Sequence, residues 1–208
     1  NEEKGFRKSE ILNKAILKTN SDYLLFTDGD CIPRKDFVSI HLKNKEVNYF
    51  LSGGYFKLPM DVSKAITDND IETQNCFNVS WLKKQGLNLN FKATKLTHNR
   101  YFASFMNWLT PTKRTFNGHN TSCFKKDILA VNGFNEDMQY GGLDREVGER
   151  MFNNDLFSKQ IRYSAICIHL DHSRGYYSQE GWNKNLAIRA FNKKNGVVKI
   201  KNGIEKLP

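Results

Sequence analysis

The apolar and polar positions of this chain fall into short segments, each with its own period. Ile11, Leu12, Ala15 and Ile16 recur at helical spacing, Leu17 widens the stripe, and together they predict a helix over residues 5–19. Lys14 and Lys18 add positive charge near its C-terminal end, where the helix dipole favours it. The apolar run Tyr23-Leu24-Leu25-Phe26, closed by turn residues, predicts a strand over 23–27 in the interior of a sheet. Asp36 stands where it can cap a helix through Val38, Ile40 and Leu42. Residues 47–58 predict a strand pair or one bent strand, and Gly53-Gly54 in its middle implies a bulge or a close backbone approach. From 62 to 109 the pattern weakens into polar helical patches, a loop at 86–90, and an aromatic group of Tyr101, Phe102, Phe105 and Trp108, which reads as core packing. A turn then enters a short strand at 116–124, and a short helix at 127–131 is stopped by Asn132-Gly133. A helix carrying Val147, Met151 and Phe152, a strand at 162–170, an amphipathic helix at 182–194 and a last strand at 197–200 complete the pattern. No repeat, low-complexity tract or linker interrupts it, so residues 1–208 read as one α/β domain.

Composition narrows the partners. At 208 residues the chain is long enough for one sizeable core, and a net charge of +10 with a pI near 9.4 favours anionic partners. Nucleotide phosphates and an anionic membrane surface fit. No basic stripe or nucleic-acid motif is visible, so nucleic acid is set aside. Cys31, Cys76, Cys123 and Cys167 lack metal-type pairing and read as reduced thiols of a cytoplasmic protein. No apolar run approaches a membrane span and no signal peptide opens the chain; contact with the inner face of a membrane stays open. The first residue is Asn, not Met, so the sequence reads as a piece of something longer.

The chemistry concentrates in three places. Asp28-Gly29-Asp30 follows an apolar strand. Residues two apart on a strand share a side, so both carboxylates are expected to aim at one spot, where hard oxygen donors suit Mg²⁺ or Mn²⁺ bridging a diphosphate. A solvated Asp-Gly turn is the bland alternative. Asp144 follows Gly141-Gly142 and precedes a helical pattern, which suits either a helix cap or a base with room for substrate beside it. His169 ends a strand, with His172 three residues on.

Taken together these pieces resemble a family 2 glycosyltransferase of the GT-A fold, with a galactosyltransferase-like C-terminal region. The resemblance rests on Gly5-Phe6-Arg7-Lys8-Ser9-Glu10-Ile11-Leu12-Asn13, on Asp28-Gly29-Asp30, on Gly118-His119-Asn120-Thr121-Ser122 through Gly133-Phe134-Asn135-Glu136, and on Gly141-Gly142-Leu143-Asp144 followed by Arg150. It implies a Rossmann-like mixed sheet flanked by helices that lacks its N-terminal nucleotide-binding strands. It also implies a metal-dependent transfer of sugar from a nucleotide-sugar, with UDP favoured, to a saccharide or glycolipid acceptor with inversion. In that scheme Asp30, Asp28 and His169 hold Mn²⁺ or Mg²⁺, with His172 as the fallback. Asp144 is the catalytic base. Asp28, Gly118, Asn120, Gly142, Leu143 and Arg7 bind substrate, with Lys8 beside Arg7 near the diphosphate. Glu136 reads as structural. The family has Glu where this chain has Leu143, which bears on the acceptor.

Two further readings compete. A sugar-binding or scaffold subunit without turnover is motivated by Leu143. A phosphatase of the haloacid dehalogenase type also places Asp-x-Asp after a strand, but wants a later Gly-Asp-x-x-x-Asp that this chain lacks.

Overall fold

The computed structural model describes residues 7–173 and 177–207. Helix α1 (Lys8–Lys18) leads to β1 (Tyr23–Phe26), and a turn connects it to β2 (Cys31–Pro33) and α2 (Phe37–Asn44). Strands β3 (Tyr49–Ser52) and β4 (Gly54–Lys57) follow, then four helices: α3 (Met60–Ala65), α4 (Asp68–Glu72), α5 (Val79–Lys84) and α6 (Arg100–Leu109). Strand β5 (Thr121–Phe124) runs into α7 (Lys125–Ala130), and α8 (Leu143–Asn153), β6 (Phe157–Gln160), β7 (Ile166–His169) and α9 (Gln179–Lys194) end the order.

The strands form two mixed sheets flanked by helices, ordered β1-β5-β3-β6 and β2-β7-β4. β3 with β6 and β4 with β7 are the parallel pairs. The expected mixed α/β architecture is therefore present. The chain passes from one sheet to the other at Gly53, between β3 and β4. A Cβ at Gly53 would lie 1.9 Å from Asn120 Oδ1, and one at Gly54 2.1 Å from the Arg162 carbonyl oxygen. The close approach expected of this glycine pair is thus a packing requirement of the sheet crossing.

A buried polar chain staples the crossing. Asn120 Nδ2 donates to the carbonyls of Gly54 (2.7 Å) and Ala165 (3.1 Å), which turns its Oδ1 toward His41 Nε2 at 2.8 Å. The ring therefore donates from Nε2, and its Nδ1 accepts from Ser122 Oγ at 2.7 Å; the Tyr23 hydroxyl meets that same oxygen at 2.8 Å. Every member is satisfied, as a buried polar network must be to avoid large desolvation costs.

Two apolar clusters sit on either side. Phe50, Phe116, Phe134, Leu143, Val147 and Met151 pack between the first sheet and α7–α8. Phe56, Leu58, Val62, Phe77, Leu82 and Ile168 pack between the second sheet and α3–α5. Full burial of such side chains stabilises by about 1.5–3 kcal/mol each.

Several expectations are corrected. β1 lies at the edge of its sheet among the described residues, paired only with β5, and its side chains are half-buried. α1 turns Ser9, Asn13 and Ile16 inward, while Ile11 and Ala15 are exposed. Asn13 explains this rotation, because its amide brackets Phe134, accepting from its N–H at 2.8 Å and donating to its carbonyl at 2.9 Å. The start of the expected helix, at Gly5 and Phe6, lies outside the described residues. Asp36 precedes α2 without a side-chain cap bond, because it takes the Arg34 guanidinium at 2.7 and 2.9 Å instead. The strand expected at 197–200 is irregular backbone; its Ile200 carbonyl accepts from Asn132 Nδ2 at 2.8 Å rather than from a ladder. The aromatic group does not pack in the core: α6 buries Ala103 and Met106 and leaves Tyr101, Phe105 and Trp108 exposed at 71, 52 and 80 %. Arg150, the arginine downstream of the glycine pair, is wholly buried. It bonds Glu146 at 2.7 and 2.9 Å and the carbonyls of Val131 and Gly133, tying α8 to the turn after α7.

Candidate active site

A cleft of about 560 Å³ opens where both sheets and the start of α8 converge. It is lined by Lys8, Asp28, Asp30, Asp144, His169 and His172, together with the Tyr140-Gly141-Gly142-Leu143 turn.

Asp28 and Asp30 line the same cleft, but from a turn rather than from a strand. β1 ends at Phe26, and Asp28 and Asp30 sit in the turn that the Cys31 N–H closes onto the Asp28 carbonyl at 3.1 Å. Their partners are therefore different. Asp28 Oδ1 takes the Lys8 ammonium at 2.6 Å. Burial works against the Lys8 charge, but Asp144, Asp28 and Asp30 outweigh it, and its pKa is raised above the usual lysine value. Arg7, expected beside it, instead folds back along α1 onto Glu10 at 2.6 Å.

Asp30 faces histidines. The β2–β7 register sets Cys31 opposite His169, and the Leu170 N–H donates to the Asp30 carbonyl at 2.9 Å, which locks the turn beside the strand end. His169 Nε2 lies 3.5 Å from Asp30 Oδ2, and His172 Nε2 reaches the same oxygen at 2.9 Å. Both rings place Nδ1 against a carbonyl, His169 on Leu170 at 2.8 Å and His172 on Ser173 at 2.7 Å. A carbonyl only accepts, so each Nδ1 carries a proton, and Nε2 is the nitrogen each ring turns to the Asp30 carboxylate. Where Nε2 carries a proton it donates to the Asp30 oxygen, and a divalent cation among the two nitrogens and that oxygen would take the proton's place. Asp30, Cys31 and His169 also offer ligand atoms within 4.8 Å of one another. The hydrogen bond with the Cys167 thiol, then burial and the nearby aspartates, hold the Cys31 thiol in its protonated form, so the oxygen and nitrogen donors are the ones that fit Mn²⁺ or Mg²⁺.

Asp144 lies in the first turn of α8, whose cap is Gly142 at φ 79°. Gly141, at φ 102°, carries the Trp182 ring of α9 where a Cβ would stand, at 2.6 Å. The glycines thus serve the backbone turn and the seat of α9. Gly118 serves Asp144: a Cβ there would lie 2.6 Å from its Oδ1. That oxygen is buried without a hydrogen-bond partner. Burial pushes the Asp144 carboxyl up; Lys8, the Gly118 N–H and Arg145 pull against this, while Asp28 adds to it. A carboxylate so placed is a stronger base than a surface aspartate and still has an open coordination site.

Three expected substrate contacts have other places. Asn120 is wholly buried in the sheet staple, so it neither lines the cleft nor can carry a glycan on the folded chain, although Asn120-Thr121-Ser122 spells a sequon. Leu143 borders the cleft, but its side chain is buried in the first core cluster. Gly118 is buried and shapes Asp144. Glu136 accepts from Asn13 and Lys206, a structural role as expected. His119 was not singled out from the sequence. Its ring touches Tyr55 at 4.7 Å, its Nε2 is buried without a partner, and burial takes its pKa down to about 4. Only its place between Gly118 and Asn120 signalled it.

No helix among the described residues is long and apolar enough to cross a membrane. No protein-family model matches the sequence, and no curated protein matches it either. Among solved structures, the chain is similar to a mannosyltransferase from Pyrobaculum calidifontis, solved in complex with GDP-Man and Mn²⁺, with a TM-score of 0.48 and 17 % identity. The alignment covers 86 % of this chain and 40 % of the mannosyltransferase, so this chain spans well under half of that protein's length.

Proposed function

We propose that this chain is the metal- and acceptor-binding part of a glycosyltransferase that moves a sugar from a nucleotide-sugar, UDP-linked by preference, to a saccharide or glycolipid acceptor. The observation that carries the reading is the pairing, in one cleft, of the Asp30–His169–His172 group with the buried carboxylate of Asp144, whose Oδ1 has no hydrogen-bond partner.

Asp30, His169 and His172 would hold Mn²⁺ or Mg²⁺, with Asp28 held back by Lys8. The bound metal would supply Lewis-acid neutralisation of a diphosphate. Lys8 adds a cation for the same oxygens. Asp144 takes the proton of the acceptor hydroxyl as that oxygen bonds the anomeric carbon. The bond from that carbon to the diphosphate breaks on the far side, its electron pair leaving with the nucleotide. A single displacement of this kind inverts the anomeric configuration. A binding subunit without turnover remains the second reading, since Leu143 brings no acid to the acceptor side.

The surface of α6 supports contact with an anionic membrane. Tyr101, Phe105 and Trp108 are exposed on it, and no Asp or Glu stands between Glu72 and Asp127, while lysines and arginines recur through that stretch. Aromatic side chains beside basic ones suit the interface of an anionic bilayer.

The test is calorimetric and kinetic, on the full-length polypeptide with UDP- and GDP-sugars. Mn²⁺ binding that depends on the nucleotide and is lost in Asp30→Ala and weakened in His172→Ala is expected. Asp144→Asn should retain binding while turnover falls about 10²–10⁴-fold, the usual contribution of a general base. Unchanged metal binding in Asp30→Ala, or full turnover in Asp144→Asn, overturns the assignment.

A further inference from the structure

A second hollow of about 230 Å³ lies behind the cleft wall, lined by Ser52, Tyr55, Lys113, Asn117, Arg145 and Arg162 among others. Three of its lining residues are cations and none is a carboxylate. Lys113, Arg145 and Arg162 form no side-chain ion pair or hydrogen bond among the described residues, whereas Lys8 in the cleft pairs with Asp28. A fourth cation stands beside them. Lys95 is buried with its Nζ 3.4 Å from the Tyr55 carbonyl oxygen and 5.6 Å from the centre of the Tyr55 ring. Burial pushes its pKa down to about 8, and Arg162 and Lys92 push the same way. Lys113 and Arg145 reach solvent and Asp144 stands next to Arg145, yet no carboxylate enters the hollow itself, so its like charges repel one another there. The arrangement gains most from an anion of matching size, and planar guanidinium forks favour an oxyanion.

The position of the hollow says which molecule brings that anion. Asp144 and Arg145 are consecutive in the first turn of α8, one lining the cleft and the other the hollow. On the facing loop, Asn117 lines the hollow while Gly118 packs against Asp144. Tyr55 lines the hollow and its ring touches His119 at 4.7 Å and His169 at 5.9 Å. Consecutive residues of α8 and of the facing loop thus line the hollow and meet the base. We propose that the hollow binds a compact oxyanion of the acceptor, the carboxylate of a uronate or the phosphate of a sugar phosphate, and so selects an acidic saccharide. The inference rests on the transferase reading for the word acceptor, and on the hollow alone for the anion.

The test separates the two. Amide resonances of the full-length protein are followed while glucuronate, glucose 6-phosphate, inorganic phosphate or neutral glucose is added, with neither nucleotide nor metal present. Shifts at Gly53, Thr112, Thr115 and Asn117 with an anion, and none with glucose, are expected. Glucuronate acting alone identifies a carboxylate site; glucose 6-phosphate and phosphate acting alone identify a phosphate site. Arg162→Gln with Lys113→Gln should weaken the response about tenfold or more, and Arg162→Lys should retain part of it, since charge-assisted hydrogen bonds are lost in the first and partly kept in the second. Equal shifts with glucose, or a response unchanged in the double variant, overturn the proposal. Because no donor is used, a positive result stands even if no sugar transfer is found. A nucleotide-sugar bound in the cleft while the hollow ignores every anion removes this inference alone.

Discussion

The buried histidine of the sheet staple makes a quantitative demand on stability. His41 is 1 % exposed, donates from Nε2 to Asn120 and accepts at Nδ1 from Ser122, so it has no room for a second proton. Burial takes its pKa from 6.5 down to about 4, the bond to Asn120 offsetting only part of the cost. The unfolded chain therefore binds a proton at this ring across that window and the folded chain does not, so stability is complete above the unfolded value near 6.5 and falls as the pH drops toward 4. At about 1.4 kcal/mol per pH unit the loss is on the order of 3 kcal/mol, a large share of the roughly 5–15 kcal/mol typical of a domain. The assay is urea unfolding, followed by tryptophan fluorescence, from pH 7.5 down to 4.5, for the native chain and His41→Gln. Glutamine keeps a donor and an acceptor but does not titrate. Groups with raised values, such as Asp144 and Asp127, drift the opposite way but are common to both proteins and cancel in the difference. The native chain should lose most of those 3 kcal/mol relative to the variant. Parallel stability curves, or a His41 ring that titrates near 6.5, would refute the reasoning.

Two other outcomes are expected. Leu143→Glu puts a carboxylate among Val147, Met151 and Phe134 rather than into the cleft, so it should destabilise by about 3 kcal/mol or more, read as a melting point lowered by many degrees; a melt within two degrees or so of the native chain contradicts the buried placement. Replacing Tyr101, Phe105 and Trp108 by Ser should abolish flotation with phosphatidylserine vesicles while leaving the fold intact, because all three are exposed. Equal binding to neutral vesicles, or no loss in the variant, removes the membrane contact.

The elements with a strong local period were legible in the sequence. The strand over Tyr23–Phe26, the helices after Asp36 and Gly142, and the stop at Asn132-Gly133 stand where their patterns put them, the last with both residues at positive φ. Failures came where tertiary contacts overrule the pattern. Asn13 is polar, yet it faces inward because Phe134 offers it a donor and an acceptor, and this turns α1 by a face. β2 and β6 are three and four residues long, too short for a period, and exist because β7 and β3 lie beside them. Asp28 and Asp30 were legible as a pair of cleft carboxylates, but their separate partners, Lys8 for one and His172 for the other, were not, because the strand ends before them. Asn120 was visible as a special position and misread as a ligand contact; nothing local reveals that Gly54, Ala165 and His41 converge on it. The hollow of cations draws on residues from 52 to 162, and so had no signature along the chain.

The outer edge of β1 carries a consequence for handling the protein. Among the described residues that strand pairs with β5 alone, so the backbone donors and acceptors on its other side face outward. Its sequence, Tyr-Leu-Leu-Phe, has neither the lysine nor the proline with which exposed strand edges are usually blunted. An edge of this kind adds strands readily. When further polypeptide lies along it, the sheet is extended and the edge is quenched. When it is bare, a second molecule can supply the strand, and colloidal behaviour becomes a property of this one tetrapeptide: self-association should grow with concentration and yield to a single Leu25→Lys substitution.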